Sequence, residues 1–297
     1  MLQCLVCGGA ALSVYFDDAE DSIDVTAIGS SRTILSPGKI MRCKTCGFAF
    51  RQNRFDELQI ADLYRKMDTK VYQAEFNGRI RTAENHLRIV TRHLPSNTSP
   101  GAILDVGCAS GLFLDKALDA GWTVVGLEPS EVLYRQAVER IGNRGTVLPF
   151  MLEEADFNGK LFDAITLWDV LEHVVDPVNF LRRIHEHLKP DGCLFLNVPD
   201  LDSIEARLLG RRWPLLLPEH LNYFTRSSIR LCAEKCQFKL IRFGRRRSYF
   251  SLQYVFYRLS QHNFPAANFL HRLSKSWIGK IVIPVSLGET WAVLQRQ

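Results

Sequence analysis

From Ala102 onward, short apolar runs alternate with amphipathic stretches, the pattern of a parallel sheet covered by helices on both faces. Ala102-Ile103-Leu104-Asp105-Val106 predicts a first strand, and Leu112 to Ala120 predicts a helix that Gly121 closes. Trp122 to Leu127 predicts a second strand ending in Glu128, after which Pro129 and Ser130 start another helix. Val178 to Leu188 has helical periodicity and carries His185 and His187 as surface or packing residues. The turn formers Pro95-Ser96-Asn97-Thr98-Ser99-Pro100-Gly101 mark a boundary before this region. Upstream of it, Phe55 to Val90 places Leu58, Ala61, Leu63, Tyr64, Ile80, Leu87, Ile89 and Val90 at helical spacing. The expected organisation is a module over 1–55, a helical linker over 56–99 and an α/β domain over 100–297.

Composition places the chain among globular proteins, with 46% hydrophobic and 23% charged residues in 297. No apolar run approaches the roughly 20 residues that span a bilayer, and no basic segment precedes a long apolar stretch at the N-terminus, so a cytoplasmic protein is expected. The net charge of +5 is partly concentrated in Arg211-Arg212 and Arg245-Arg246-Arg247, which fits anionic partners without requiring nucleic acid.

Four of the eight cysteines form two Cys-x-x-Cys knuckles, Cys4 with Cys7 and Cys43 with Cys46, each followed by a glycine able to take positive φ. Four thiolates fill a tetrahedral zinc site and leave no position for substrate, so a bound zinc would be structural in a zinc-ribbon-like module. Ordinary reduced thiols or a redox pair are the alternative, and a redox pair needs no second copy. Ala11 to Ile40 supplies β-like stretches and an exposed acidic patch, Asp17-Asp18-Ala19-Glu20-Asp21. Cys108 and Cys193 fall in the sheet pattern as buried thiols, while Cys232 and Cys236 lie one helical turn apart.

The turn Asp105-Val106-Gly107-Cys108-Ala109-Ser110-Gly111 joins a strand to a helix, a place where backbone approaches a nucleotide closely. Glu128 lies about 20 residues on, where an acidic side chain accepts from ribose hydroxyls. The dinucleotide pattern Gly-x-Gly-x-x-Gly is not met, because its positions hold Gly107, Ala109 and Leu112. The turn instead resembles the first motif of class I S-adenosylmethionine-dependent methyltransferases, acidic-x-Gly-x-Gly-x-Gly. Ala109 replaces the middle glycine, a change that suits a turn needing no positive φ there.

The resemblance runs over residues 100 to 297. Phe162 to Pro177, with Trp168-Asp169-Val170-Leu171-Glu172-His173, resembles the fourth strand and following loop of ubiquinone-pathway O-methyltransferases, and Leu188 to Pro199 resembles their fifth strand. It implies a Rossmann-like, seven-stranded methyltransferase sheet, with Thr146 to Phe150 third, Phe238 to Phe243 sixth and Glu289 to Leu294 an antiparallel seventh. It also implies that the methionine part of the cofactor lies against Gly107 and Cys108, the ribose on Glu128 and adenine near Leu152 and Glu153, with Trp168 and Asp169 beneath the sulfonium.

A proton-bearing acceptor needs a base, and His173, just past the fourth strand, is the first candidate. His220 and Tyr223, on a loop following the fifth strand within a His-Leu-x-Tyr-Phe stretch that related enzymes share, are the second. Tyr249 to Lys280 reads as a helical insertion suited to a lid, a dimer surface or a peripheral membrane contact, with core packing as the default. A zinc module ahead of the cofactor domain resembles ketosugar C-methyltransferases, which implies a nucleotide-linked sugar or cell-envelope glycan acceptor whose phosphates Arg211, Arg212 and Arg245 to Arg247 meet. Two other readings are an RNA methyltransferase, disfavoured by the lack of a basic and aromatic stripe in the zinc module, and a non-catalytic adaptor, disfavoured by intact Asp105, Gly107, Gly111 and Glu128. Oligomeric state and acceptor atom stay open.

Overall fold

The computed structural model describes residues 2–17, 37–56, 59–60, 62, 75–94, 100–261, 272 and 275–297. Most of the acidic patch, Leu58, Ala61, Leu63, Tyr64, the 95–99 boundary and residues 262–271 and 273–274 of the insertion lie outside the described residues.

At the N-terminus, β1 (Leu12–Phe16), β2 (Ile40–Cys43) and β3 (Ala49–Arg51) form an antiparallel meander, with the two knuckles turning back at its end. Both knuckle glycines, Gly8 and Gly47, have φ of +77°, as their position after a paired-thiolate turn requires. Helix α1 (Phe76–His93) follows; its buried face is Gly78, Ala83, His86, Ile89 and Val90.

The main sheet then begins with β4 (Ala102–Val106), α2 (Leu112–Asp119), β5 (Thr123–Leu127), α3 (Glu131–Ile141) and β6 (Thr146–Leu148). Strand β6 stops before Phe150 because Pro149 has no N–H for the ladder. It continues through β7 (Phe162–Leu167), α4 (Pro177–His187) and β8 (Leu188–Pro199). Asp176 sets the start of α4: its carboxylate accepts from the backbone N–H of Val178 and Asn179, both at 3.0 Å, with Pro177 at the first helical position. After α5 (Ile204–Leu209), β9 (Asn222–Tyr223) and α6 (Arg226–Lys235), the chain forms β10 (Phe238–Arg245), β11 (Ser248–Ser251), α7 (Leu252–Gln261), β12 (Val282–Val285) and β13 (Glu289–Arg296).

The seven-stranded order is β10-β13-β8-β7-β4-β5-β6. Pairing is parallel from β8 to β6, and β13 runs antiparallel to both neighbours. This is the sheet expected from the sequence, with the cofactor turn after its central strand. Because β4 is covered on both faces, Ile103 and Leu104 are fully buried, each contributing roughly 1.5 to 3 kcal/mol.

Two features depart from expectation. The 217–225 segment is not wholly loop: β9 pairs with β3, Ala49 opposite Tyr223 and Phe50 opposite Asn222, so the N-terminal sheet takes its fourth strand from the other end of the chain. The insertion is not wholly helical: β11 and β12 pair as a hairpin with α7 between them. That hairpin lies on α1, where Tyr249 N donates to Thr82 Oγ1 at 3.1 Å. A Cβ on Gly78 would stand 2.2 Å from the Tyr249 carbonyl, so the approach depends on glycine. No helix among the described residues is long and apolar enough to cross a membrane.

Candidate active site

The turn after β4 is closed by the N–H groups of Gly107 and Cys108, both donating to Leu127 O at 2.9 Å. Gly107 has φ +73°, and a Cβ there would meet Val170 at 2.9 Å. Gly111, at φ +76°, caps α2 against α3. Ala109 also has positive φ, +48°, contrary to the expectation for an alanine at that position. The left-handed region costs a non-glycine residue roughly 1 to 2 kcal/mol. Glu128 imposes it by accepting from Ala109 N at 2.8 Å. Ala109→Gly is therefore expected to stabilise the protein by about 0.5 to 1 kcal/mol, the strain relieved minus the added chain entropy, as read by thermal melting.

Asp105 and Glu128 are buried beside this turn. Thr166 Oγ1 donates to Asp105 at 2.6 Å, and Ser130 N donates to the second Glu128 oxygen at 2.8 Å. Burial pushes both carboxyls up to about 7, Asp105 further raised by Glu128 and held back by Thr166.

A cavity of about 690 Å³ opens above the strand ends. Of the residues expected at the cofactor, Asp105, Gly107, Cys108, Glu128, Leu152, Glu153, Trp168 and Asp169 line it; Gly111 does not, standing behind the turn as a helix cap. His173 and His220 line it as well. Tyr223 does not reach the cavity. It is fully buried in β9 with its hydroxyl 3.4 Å from Leu217 O, because strand alternation turns it toward the N-terminal sheet.

Asp169 adopts φ +59° with its carboxylate opening onto the cavity. Its backbone N–H donates to Asn197 Oδ1 at 3.1 Å, and Asn197 Nδ2 returns a bond at 2.7 Å. Arg246 grips Asp169 with both terminal nitrogens, one at 2.8 Å, and reaches buried Glu289 as well. Burial resists ionisation of Asp169, but the guanidinium outweighs it and holds this carboxylate well below its ordinary range. Glu289 is pushed by burial up to about 7.

Beyond Asp169, Glu172 is buried, and the rings of His173 and His220 meet edge to face at 4.8 Å. His173 Nδ1 lies 2.9 Å from Glu219 O, and His220 Nδ1 lies 2.9 Å from Leu215 O. A carbonyl only accepts, so both Nδ1 atoms carry the proton. Burial lowers both pKa values, keeping the rings neutral. The two segments are stitched together by Leu221 N and Asn222 N on Glu172 O at 2.8 and 2.9 Å, and by Asn222 Nδ2 on Leu171 O and Val174 O. Arg54 bridges them from the N-terminal side, donating to Val174 O, Val175 O, Leu221 O and Asn222 Oδ1.

Three residues of this site escaped the sequence. His86, on α1, stacks on Trp168 with ring centroids 3.9 Å apart and lines the cavity. Arg246 hid in a run of three identical arginines, and only the structure buries it between exposed Arg245 and exposed Arg247. Arg54 carried no signal beyond its position after β3. The other arginines expected to meet phosphates lie elsewhere: Arg211 donates to Asp17 O, and Arg245 pairs with Glu205 on the surface.

At the knuckles, Cys4 and Cys46 sulfurs are 3.6 Å apart and those of Cys7 and Cys43 3.4 Å, with all four within 4.8 Å. These separations exceed a disulfide bond and are close to the ~3.8 Å edge implied by ~2.3 Å zinc–sulfur bonds in a tetrahedron.

A glycine turn facing a strand-end carboxylate, on a sheet of this order with an antiparallel seventh strand, defines the class I methyltransferase fold. Residues 76–242 match the family model for a methyltransferase domain, more than half of the chain, and the chain belongs to that family of S-adenosylmethionine-dependent enzymes. It is 37% identical over 133 residues to a ubiquinone biosynthesis O-methyltransferase of Actinobacillus pleuropneumoniae, an alignment covering 41% of this chain and 57% of that enzyme. With the mitochondrial ubiquinone biosynthesis O-methyltransferase of Bos taurus it shares 32% identity over 124 residues, 38% of this chain and 33% of the relative. The chain thus spans between about a third and little more than half of the length of these curated relatives. Among solved structures, magnesium protoporphyrin IX methyltransferase of Synechocystis aligns over 83% of this chain and 90% of its own, with 15% identity and a TM-score of 0.48.

Proposed function

We propose that this chain moves the methyl group of S-adenosylmethionine onto a hydroxyl of a small-molecule acceptor that sits against His173 and His220. The observation that carries this reading is that one cavity joins the glycine turn and Glu128 to that pair of neutral imidazoles.

The residues fit the cofactor. Each Glu128 oxygen takes one backbone N–H, from Ala109 or Ser130, and keeps a lone pair for a ribose hydroxyl. Gly107 presents bare backbone beside Cys108, Leu152 offers an apolar surface for adenine next to Glu153, and Trp168 with Asp169 forms the floor. When bound, the cofactor supplies an electrophilic methyl group to an acceptor held in line with it. His173 receives the acceptor's proton and His220 orients the same hydroxyl, with Nδ1 of each ring fixed by a carbonyl. Tyr223 supports this wall by packing. The four thiolates hold a structural zinc.

Tyr249, Phe250 and Tyr254 add aromatic lining to the cavity, and Arg246 is already engaged by two carboxylates. Both features favour a neutral hydroxylated acceptor with an aromatic or apolar body. A nucleotide-linked sugar or glycan is supported by the order of zinc module and catalytic domain. Transfer of labelled methyl from S-adenosylmethionine to a panel of polyhydroxylated phenols and of nucleotide sugars tests both. Methylation of phenols is expected, with His173→Ala slowed by about 10²- to 10⁴-fold at saturating acceptor; near-normal turnover in that variant removes His173 from the role.

A pH dependence follows from Glu128. Its pKa is raised from 4.5 to about 7 in the free protein, and ribose hydroxyls bond best to the ionised form. Binding therefore expels the proton: affinity for S-adenosylmethionine should be level above about pH 7 and fall by up to about tenfold per unit below it. Calorimetry near pH 7 in buffers of different ionisation enthalpy should register proton release. For the free protein the sign is opposite, since a raised carboxyl pKa makes stability decline as pH rises from 4.5 to about 7.

A further inference from the structure

We propose that Glu75 is a positioning residue for the acceptor: it holds β11 and the first turn of α7 on α1, so that the stacked rings of Phe250 and Tyr254 form a platform for the acceptor's own ring. The inference rests on the reading that an acceptor with an aromatic body occupies this cavity, and it assigns the residue that places the aromatic lining.

Strands β11 and β12 form a two-stranded sheet of their own, outside the seven-stranded one. A hairpin of that size is marginally stable without further support. Its support comes from α1. Glu75, at the start of α1, is 3% exposed, and both its oxygens are engaged by one residue: Ser251 N donates to Oε1 at 2.6 Å and Ser251 Oγ to Oε2 at 2.8 Å. With its hydrogen committed to the carboxylate, the Ser251 hydroxyl turns a lone pair to Tyr254 N, 3.1 Å away, and so caps the first turn of α7. Glu75 thus fixes Tyr254 through Ser251. Further along α1, Thr82 Oγ1 accepts from Tyr249 N at 3.1 Å. Gly78 lets the two elements meet, since a Cβ there would stand 2.3 Å from Glu75 Oε1 as well as 2.2 Å from Tyr249 O.

The other end of β11 is tied to the buried carboxylates, because Ser248 Oγ donates to Glu289 at 3.4 Å beside Arg246. Between these ties Phe250 and Tyr254 stack with centroids 5.3 Å apart and planes 15° apart, and both line the cavity. A near-parallel pair of rings offers a flat face, which suits a planar ring in offset stacking. Burying a carboxylate is costly, and an apolar side chain would fill the same space more cheaply. Only a double acceptor, however, holds both the N–H and the O–H of Ser251. The cost of burying Glu75 is therefore tied to where Phe250 and Tyr254 stand.

Glu75→Ala, Glu75→Gln and Ser251→Ala, each in the full-length protein, test the assignment. Calorimetry reads the binding of the polyhydroxylated phenols without methyl donor, and of S-adenosylmethionine without phenol. Both alanine variants should weaken phenol binding by about tenfold and leave the affinity for S-adenosylmethionine within about twofold. Glu75→Gln should recover most of the loss, because its amide oxygen accepts from Ser251 N and its nitrogen donates to Ser251 Oγ. Hydrogen exchange at the amides of Tyr249, Ser251 and Tyr254 should quicken in Glu75→Ala, while β4 and β5 keep their protection. Ser251→Ala, which leaves Glu75 in place, carries the test if Glu75→Ala does not fold. No phenol binding by the wild-type protein, phenol affinity or exchange unchanged in the alanine variants, an equal loss of donor affinity, or a glutamine variant as weak as the alanine one overturns the assignment. Phenol that binds through Glu75 and is never methylated overturns the proposed function and leaves the assignment standing. Methylation of a phenol whose binding ignores all three substitutions does the reverse.

Discussion

Cys43→Ser is expected to lower the melting temperature by roughly 10 to 20 °C and to abolish methyl transfer, although Cys43 is remote in sequence from every cofactor or acceptor residue. Zinc bound by free four-ligand peptides contributes on the order of 10 kcal/mol of folding free energy. If about half of that is expressed here, ~5 kcal/mol, the shift follows from roughly 2 to 4 °C per kcal/mol for a domain of this size. The loss of activity has a structural route. Cys46 O accepts from Ser227 Oγ at 3.0 Å and from Thr225 Oγ1 at 3.4 Å, the two residues that open α6. Phe48 packs edge to face on Phe224 at 5.2 Å, and β3 pairs with β9. Loosening the knuckle therefore loosens residues 222–227, and with them the adjoining turn that holds His220 against His173. Zinc content, melting and turnover of the variant measured together check this. Unchanged melting with zinc absent would leave the thiolates without a structural role.

Glu128→Ala should weaken S-adenosylmethionine binding by about 10²- to 10³-fold. Two hydrogen bonds from ribose hydroxyls to a carboxylate, at roughly 1.5 to 2 kcal/mol each, give ~3 to 4 kcal/mol, and each 1.4 kcal/mol is tenfold. The variant also releases Ala109 N and Ser130 N, so the strained turn at φ +48° loses the acceptor that holds it. Glu128→Gln separates the two effects. Its amide has one acceptor oxygen and a donating nitrogen that opposes a backbone N–H, so partial loss is expected. Equal affinity in all three proteins would place the ribose elsewhere.

The fold was largely legible because its signals are local. Ala102–Val106 carries a strand pattern and a glycine turn in consecutive residues, and Glu128 announces itself by its distance from that turn. The knuckles were equally plain, since paired cysteines encode their own geometry. What stayed hidden depends on partners distant in the chain. Asn222–Tyr223 is too short to show strand periodicity, and its pairing partner lies at Ala49–Phe50. Tyr223 thus read as a loop residue at the acceptor when it belongs to a sheet core. His86 sits in the apolar stripe of α1, where a histidine breaks no pattern, and only the fold brings it onto Trp168. Ala109 shows the limit even of motif reading: alanine in a glycine position argues for ordinary backbone, yet Glu128 supplies the bond that holds positive φ.

In the proposed function, the cavity over Asp105 to Gly111 binds the methyl donor with Glu128 as its ribose anchor. Calorimetric titration of the wild-type protein with S-adenosylmethionine, at pH 8 where Glu128 is ionised, tests it most directly. Saturable binding of one molecule per chain, severely weakened in Glu128→Ala, is expected. An absence of binding at millimolar cofactor would contradict it.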